Sequence, residues 1–250
     1  MSKVFLEKPP VIELVIGAQF DGPVFSSEYL YNFYQKIKSD FPKIQENPPL
    51  PAIIEGLTEP NQNRLLQGFH TRRFFINESD DRLIQLQGDK ILFNWRKTSV
   101  SNEYPKFSTV LVEFQKIFKS ITESNEDVQK KVNQLEVTFV DHVFLDEFGL
   151  DSYEINEIFQ SISFNMTAKA LQLNMSFPCE SINGNLTLNI KSAHSNQDKR
   201  KLIVCETTCR GMKKGAESNE EWYNRAHDIL VDYFISLFSD KAKLIWGIKS

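Results

Sequence analysis

The sequence has no run of eighteen apolar residues, and its first ten positions carry Lys3, Glu7 and Lys8 where a secretory signal would be apolar. These absences point to a soluble, cytoplasmic protein with no membrane partner. Cysteine is scarce: Cys179, Cys205 and Cys209 form an odd set, which argues against a secreted disulfide framework and suits a reducing compartment. The glycines are scattered, so neither GxGxxG nor GxxxxGK occurs and a nucleotide-dependent enzyme of those classes finds no support.

Metal and catalytic patterns are equally thin. His70, His142, His194 and His227 show no HxH or HExxH spacing, and no GxSxG turn is present. Cys205 and Cys209 fall in one expected strand, where four residues span about 13 Å, too far for a shared tetrahedral ion. No metal, no cofactor and no catalytic residue is therefore assigned. The formal charge of −4, with basic residues spread along the chain in short runs such as 199–201 and 213–214, makes nucleic acid the weakest class of partner.

What the chain does have is enough apolar material, 41% of 250 residues, to bury a core without staples. Pro9 and Pro10 precede Val11 to Ile16, which reads as a strand. Ser26-Ser27-Glu28 is a helix start, followed by Tyr29, Leu30, Phe33, Tyr34, Ile37 and Phe41 at helical spacing up to Pro42. The stretch 42–71 is rich in proline and lacks periodicity, so it reads as a long functional or mobile loop. Strands are expected over 72–76, 82–87 and 90–96, with Gly88-Asp89 as a two-residue turn. Pro105 falls in the first turn of a helix with apolar positions Phe107, Val110, Leu111, Phe114, Ile117, Phe118 and Ile121.

A second pass repeats this order. Leu135 to Val140 reads as a strand, Tyr153 to Ile162 as a shorter helix, and 171–177, 186–191 and 201–209 as strands, with Asn183-Gly184 and Ser195–Asp198 as turns. Ser218 with Glu221 forms a capping box for a closing helix, followed by a tail from Lys241 anchored by Trp246. The expected fold is α+β: a single domain over 1–250, built from two β-α-βββ-α halves at about 1–127 and 128–250. Together they form a curved antiparallel sheet with long helices on one face, saddle-like or helix-grip-like.

The Gly88-Asp89 turn fixes a register in which Leu86, Ile84 and Arg82 face Ile91, Phe93 and Trp95, while Gln85, Gln87, Lys90, Asn94 and Arg96 share the other side. That polar face is a candidate binding floor. Glu13 and Glu136 stand at equivalent places in the two halves, each a carboxylate within an apolar strand, which costs several kcal/mol if buried unpaired. The simpler reading has both facing water across a one-sided sheet. The candidate ligand-binding residues are thus Glu13, Gln85, Asn94, Arg96 and Glu136. Asp141-His142 could pair as acid and base, but strand neighbours point to opposite faces.

The stretches Pro9–Ile16, Pro48-Pro49-Leu50-Pro51, Arg82–Gln87, Phe93–Lys97 and Leu135–Phe139 together resemble a sporadically distributed, uncharacterised prokaryotic protein family across essentially the whole chain. That family's pattern has Asn where this chain has Asp141. Sporadic distribution implies accessory or defence-linked operons. The leading expectation is a non-enzymatic binding or adaptor protein working with an operon-encoded protein partner, or self-associating, through the sheet face or the 42–71 loop. The alternative is a small-ligand binder or enzyme with a pocket between sheet and helices lined by the five candidate residues.

Overall fold

A computed structural model describes residues 5–51, 71–99, 101–123, 128, 130–163 and 167–249. Nine strands form one antiparallel sheet: β2 (Val11–Phe20), β3 (Lys43–Asn47), β4 (Arg72–Ile76), β5 (Arg82–Gln87), β6 (Lys90–Arg96), β7 (Val132–Phe144), β8 (Gln172–Cys179), β9 (Gly184–His194) and β10 (Lys201–Gly211). The order across the sheet is β3-β4-β5-β6-β2-β7-β10-β9-β8. A separate two-stranded ribbon pairs β1 (Phe5–Leu6) with β11 (Ile248–Lys249). Outward from the central β2–β7 contact, both sides run alike: the last strand of the side lies next to its first, and earlier strands lie progressively further out.

The helices are α1 (Ser27–Ile37), α2 (Phe107–Thr122), a four-residue α3 (Ile155–Ile158), α4 (Asn219–Leu237) and α5 (Asp240–Ile245). Ser26 caps α1 by accepting from the Tyr29 amide, and Ser218 with Glu221 closes both bonds of a capping box on α4. Apolar residues of α1, α2 and α4 share one core cluster with Leu14, Ile16 and Ala18 of β2, Ile84 and Leu86 of β5, Ile91, Phe93 and Trp95 of β6, and Val137 of β7. A second cluster gathers Val143, Leu188, Ile190, Ile203 and Cys205 with Phe238 and Trp246. Strand periodicity puts all these sheet residues on one face. Two polar links fasten the helices to it: Tyr223 Oη donates to Gly17 O at 2.8 Å, and Arg82 Nε donates to Glu113 Oε2 at 2.5 Å.

Several expectations are corrected. The segment 42–71 is not all loop, because Lys43–Asn47 forms edge strand β3, pairing with β4; residues 52–70 lie outside the described residues. Pro105 precedes α2 instead of lying within it. Tyr153–Ile162 holds only one helical turn, because Tyr153 and Phe159 form isolated bridges with Ala168 and Phe238. Within the tail expected from Lys241, helix α5 is followed by β11, and Ser250 lies outside the described residues. Cys179, which its place beside Pro178 suggests as a small buried hydrophobe, is half-buried, with its Sγ 3.3 Å from Ser181 Oγ.

Candidate functional site

The β5–β6 register is as the turn implies: Arg82 opposes Trp95, Ile84 opposes Phe93 and Leu86 opposes Ile91. Gln85, Asn94 and Glu13 therefore project from the face opposite the helices, and the structure brings them into contact. Arg72 Nη1 donates to Gln85 Oε1 at 2.9 Å, Gln85 Nε2 donates to Asn94 Oδ1 at 2.9 Å, and Asn94 Nδ2 donates to Glu13 Oε1 at 2.7 Å. This relay crosses four strands, from β4 through β5 and β6 to β2. Arg96 opposes Glu13 in register and donates from Nη2 to Asp80 O at 2.9 Å.

The face is not solvated here. Asn94 is 2% exposed and Gln87 is 1% exposed, and Val15, Leu83 and Leu92 are buried among them. Glu13 itself is half-buried, with its carboxylate accepting from Asn94. Burial pushes the Glu13 carboxyl above the usual range, against the Asn94 hydrogen bond and the Arg96 charge, and Glu206 adds to the rise. Glu136 does not face Glu13: it opposes Gly17, four residues or about 13 Å along the strand, and it has Arg210 opposite it on β10 as Glu13 has Arg96 opposite it on β6. Glu136 Oε2 accepts from Arg210 Nε at 2.8 Å and Nη2 at 2.6 Å, with both side chains largely buried.

Beside the relay lies a small hollow with room for about one water molecule. Lys90, Gln19 and Gln134 lie in one row on its wall, and Leu92, Glu136 and Arg210 lie in the next. Leu50 is strapped over the same end of the sheet. Its amide donates to Gln87 Oε1 at 2.9 Å and its carbonyl accepts from Gln87 Nε2 at 3.0 Å.

The expected pocket between sheet and helices, lined by Glu13, Gln85, Asn94, Arg96 and Glu136, is not formed by those residues: all five sit on the face turned away from the helix-side core. Lys90, placed on the polar side by the turn, and Arg72 and Arg210, which were not singled out from sequence, lie on the same face; the signal for the two arginines was a cationic residue on the polar parity of each strand. Phe93 and Trp95 are both 1% exposed in the helix-side core, so neither offers a stacking platform. Asp141 and His142 do point apart. Asp141 opposes Cys205 on the helix side, and His142 opposes Val204 on the polar side. Asp141 is fully buried, its Oδ2 has no hydrogen-bond partner, and burial raises its carboxyl to about 7. Among the described residues, no cluster of His, Cys, Asp and Glu is arranged to hold a metal ion, and no helix is long and apolar enough to cross a membrane.

No protein-family profile matches the chain, and no curated protein does. Among solved structures, the di-domain ARO/CYC StfQ from the steffimycin biosynthetic pathway aligns with 94% of this chain and 97% of its own at 8% identity and a TM-score of 0.25. A likeness that distant carries no argument.

Proposed function

We propose that this protein binds a small polar ligand on the polar face of its sheet, over β4, β5, β6, β2 and β7. The observation that carries this reading is the relay Arg72–Gln85–Asn94–Glu13, buried at its centre and half-buried at its two charged ends, beside a small hollow. A sheet face serving stability alone would be better filled with apolar side chains, because burying ionised groups costs several kcal/mol even when they are paired. Convergent polar groups beside a concavity are the general form of a ligand site. The test is native mass spectrometry of protein purified gently from its host, followed by thermal-shift screening against a metabolite library, with Asn94→Leu as control. A co-purified or stabilising small molecule that the variant loses is the expected result. A protein that carries nothing and is stabilised by nothing rejects the reading.

The matching strand order on either side of β2–β7 supports an origin by duplication within one domain, with halves meeting near residue 127. Buried, unpaired Cys205 and Cys209 suit a reducing cytoplasm.

A second reading, an adaptor for an operon-encoded protein partner, is favoured by the two open sheet edges. β3 carries exposed Ile44 and β8 carries exposed Phe177, the features used when a partner adds a strand. Affinity purification with a tag separates the readings, since a stoichiometric protein lost on Phe177→Lys or Ile44→Lys would favour the adaptor.

A further inference from the structure

The two edges of the nine-stranded sheet are not equally guarded. β3 is short and charged: Lys43 pairs with Asp80 at 3.1 Å, and Glu46 with Arg73 at 3.4 Å. Short length and charge are the devices that keep an edge from pairing with another chain. β8 lacks them over most of its length. Residues Gln172–Cys179 carry no charge, and the one proline, Pro178, is next to last. Among the described residues no strand lies beyond β8.

The ladder shows which groups this edge offers. Ser192 donates its amide to Leu171 O at 2.8 Å, one step beyond the Gln172–Lys191 pair. By the alternation of an antiparallel pair, Leu173, Met175 and Phe177 then bond to β9, while Gln172, Asn174 and Ser176 turn N–H and C=O outward. Pro178 belongs to the outward series, where its missing N–H costs β9 no bond. Side chains alternate with the same period. Leu173 and Met175 pack against the helix-side core and the Phe177 ring centroid lies 6.0 Å from that of Tyr233, whereas Gln172, Asn174 and Ser176 are exposed on the polar face.

We propose that the β8 edge joins two copies of this chain, with β8 pairing antiparallel to the partner's β8 about a two-fold axis at Met175. This alignment uses the strand from 172 to 178 and keeps each face consistent: Leu173 opposes the partner's Phe177, and Asn174 opposes the partner's Ser176. Asn174 and the partner's Ser176 exchange both backbone hydrogen bonds, and Gln172 donates to the partner's Pro178, whose missing N–H falls at the end of the ladder. A shift of one residue would set apolar side chains against polar ones. Charge at the ends favours a second copy as the occupant. Exposed Lys169 just precedes β8 and exposed Glu180 just follows it, so the two-fold brings Lys169 of each copy towards the partner's Glu180. The inference is independent of the small-ligand reading, since the relay lies across β4, β5, β6 and β2. It leaves only β3 for a strand added by a different protein.

Sedimentation velocity of the full chain across a range of concentrations is the test, with a monomer–dimer equilibrium expected for wild-type protein. Ser176→Pro removes an outward N–H and no bond to β9, so it should weaken the dimer about tenfold or more while the circular dichroism spectrum stays that of wild type. Should that variant misfold, Lys169→Glu, at an exposed bend outside the strand, should also weaken the dimer. Adding Glu180→Lys to Lys169→Glu should restore it, a rescue expected of a contact between copies. A chain monomeric at every concentration, or a dimer that survives either change intact in a folded variant, overturns the proposal. A monomer that captures a different protein, and loses it on Phe177→Lys, also overturns it and assigns β8 to the adaptor reading instead.

Discussion

The two wings of the sheet share a strand order but not an environment. On the β6–β2 side the inner strands are buried on both faces, β5 and β6 at every position but one, while edge strand β3 has no buried residue. On the far side, β9 alternates buried and half-exposed residues through most of its length and β8 has no fully buried residue. The difference is written in the side chains of the polar face. The first wing places Val15, Leu83 and Leu92 among its polar groups, whereas the second presents Asn174, Ser176, Asn185, Thr187 and Asn189 in register. Apolar packing between polar groups lowers the local dielectric, so the same hydrogen bond is stronger there and its loss more costly. Both the relay and the Lys90 wall of the hollow belong to the first wing, at its border with the second.

The largest expected effect lies at the border itself, where Asp141 opposes Val11 on β2 and Cys205 on β10. A carboxyl raised to about 7 in the fold keeps its proton while the unfolded chain ionises from about 4 upward. Stability from this group is therefore full below the unfolded pKa, falls as pH rises, and is lost once the folded group ionises. The slope is about 1.4 kcal/mol for each pH unit in that window. Neighbouring Tyr104 and Cys205 stay neutral throughout, since burial chiefly, with the Asp141 charge, pushes both upward. Urea denaturation from pH 4 to 8 should show wild-type protein losing stability relative to Asp141→Asn, because Glu13, Glu147 and Glu206, also raised, are common to both chains. Parallel profiles would mean that Asp141 is solvated or paired in solution, and the border would no longer differ from the wings.

Asn94 and Asn189 bring the comparison to one residue type. Asn94→Ala strips partners from Gln85 Nε2 and Glu13 Oε1 together and should cost about 3 kcal/mol, the penalty for leaving buried polar groups unsatisfied. Asn189→Ala, on a half-exposed position of β9, should cost within about 0.5 kcal/mol. Equal costs, measured by urea denaturation, would erase the distinction between the wings.

How far the sequence could be read follows the same division. The hairpin of β5 and β6 was legible to the residue, because a two-residue turn fixes register and the apolar parity agrees with it. β3 was not: Lys43-Ile44-Gln45-Glu46-Asn47 has one β-former between prolines, and it exists because β4 offers it an edge. Glu13, Gln85 and Asn94 could be nominated from parity alone, but their contact with Arg72 needs the β4–β5 register, which no short turn announces. Arg210 lies 74 residues from Glu136, and only the long-range pairing of β7 with β10 makes them neighbours. That Glu13 is only half open to water has the same origin. Alternation predicts which residues share a face, whereas what covers that face is a tertiary property that local pattern does not carry.

The smallest effects test whether the wings differ in their helices as well as their faces. Ser218→Ala removes an oxygen that accepts from the Glu221 amide at 3.1 Å and donates to its carboxylate at 2.9 Å, so about 1 kcal/mol should be lost from α4. Ser26→Ala removes one bond, 3.2 Å from the Tyr29 amide, at an exposed helix start and should cost less. Hydrogen exchange at the first turn of each helix distinguishes local fraying from global loss. α4 sends Trp222 and Tyr223 into the core with hydrogen bonds to Ile182 O and Gly17 O, so losing its cap should be felt at the β2 amides. Protection that changes only within α4 would show that the Tyr223–Gly17 link does not couple the helix to the strand on which the proposed site is built.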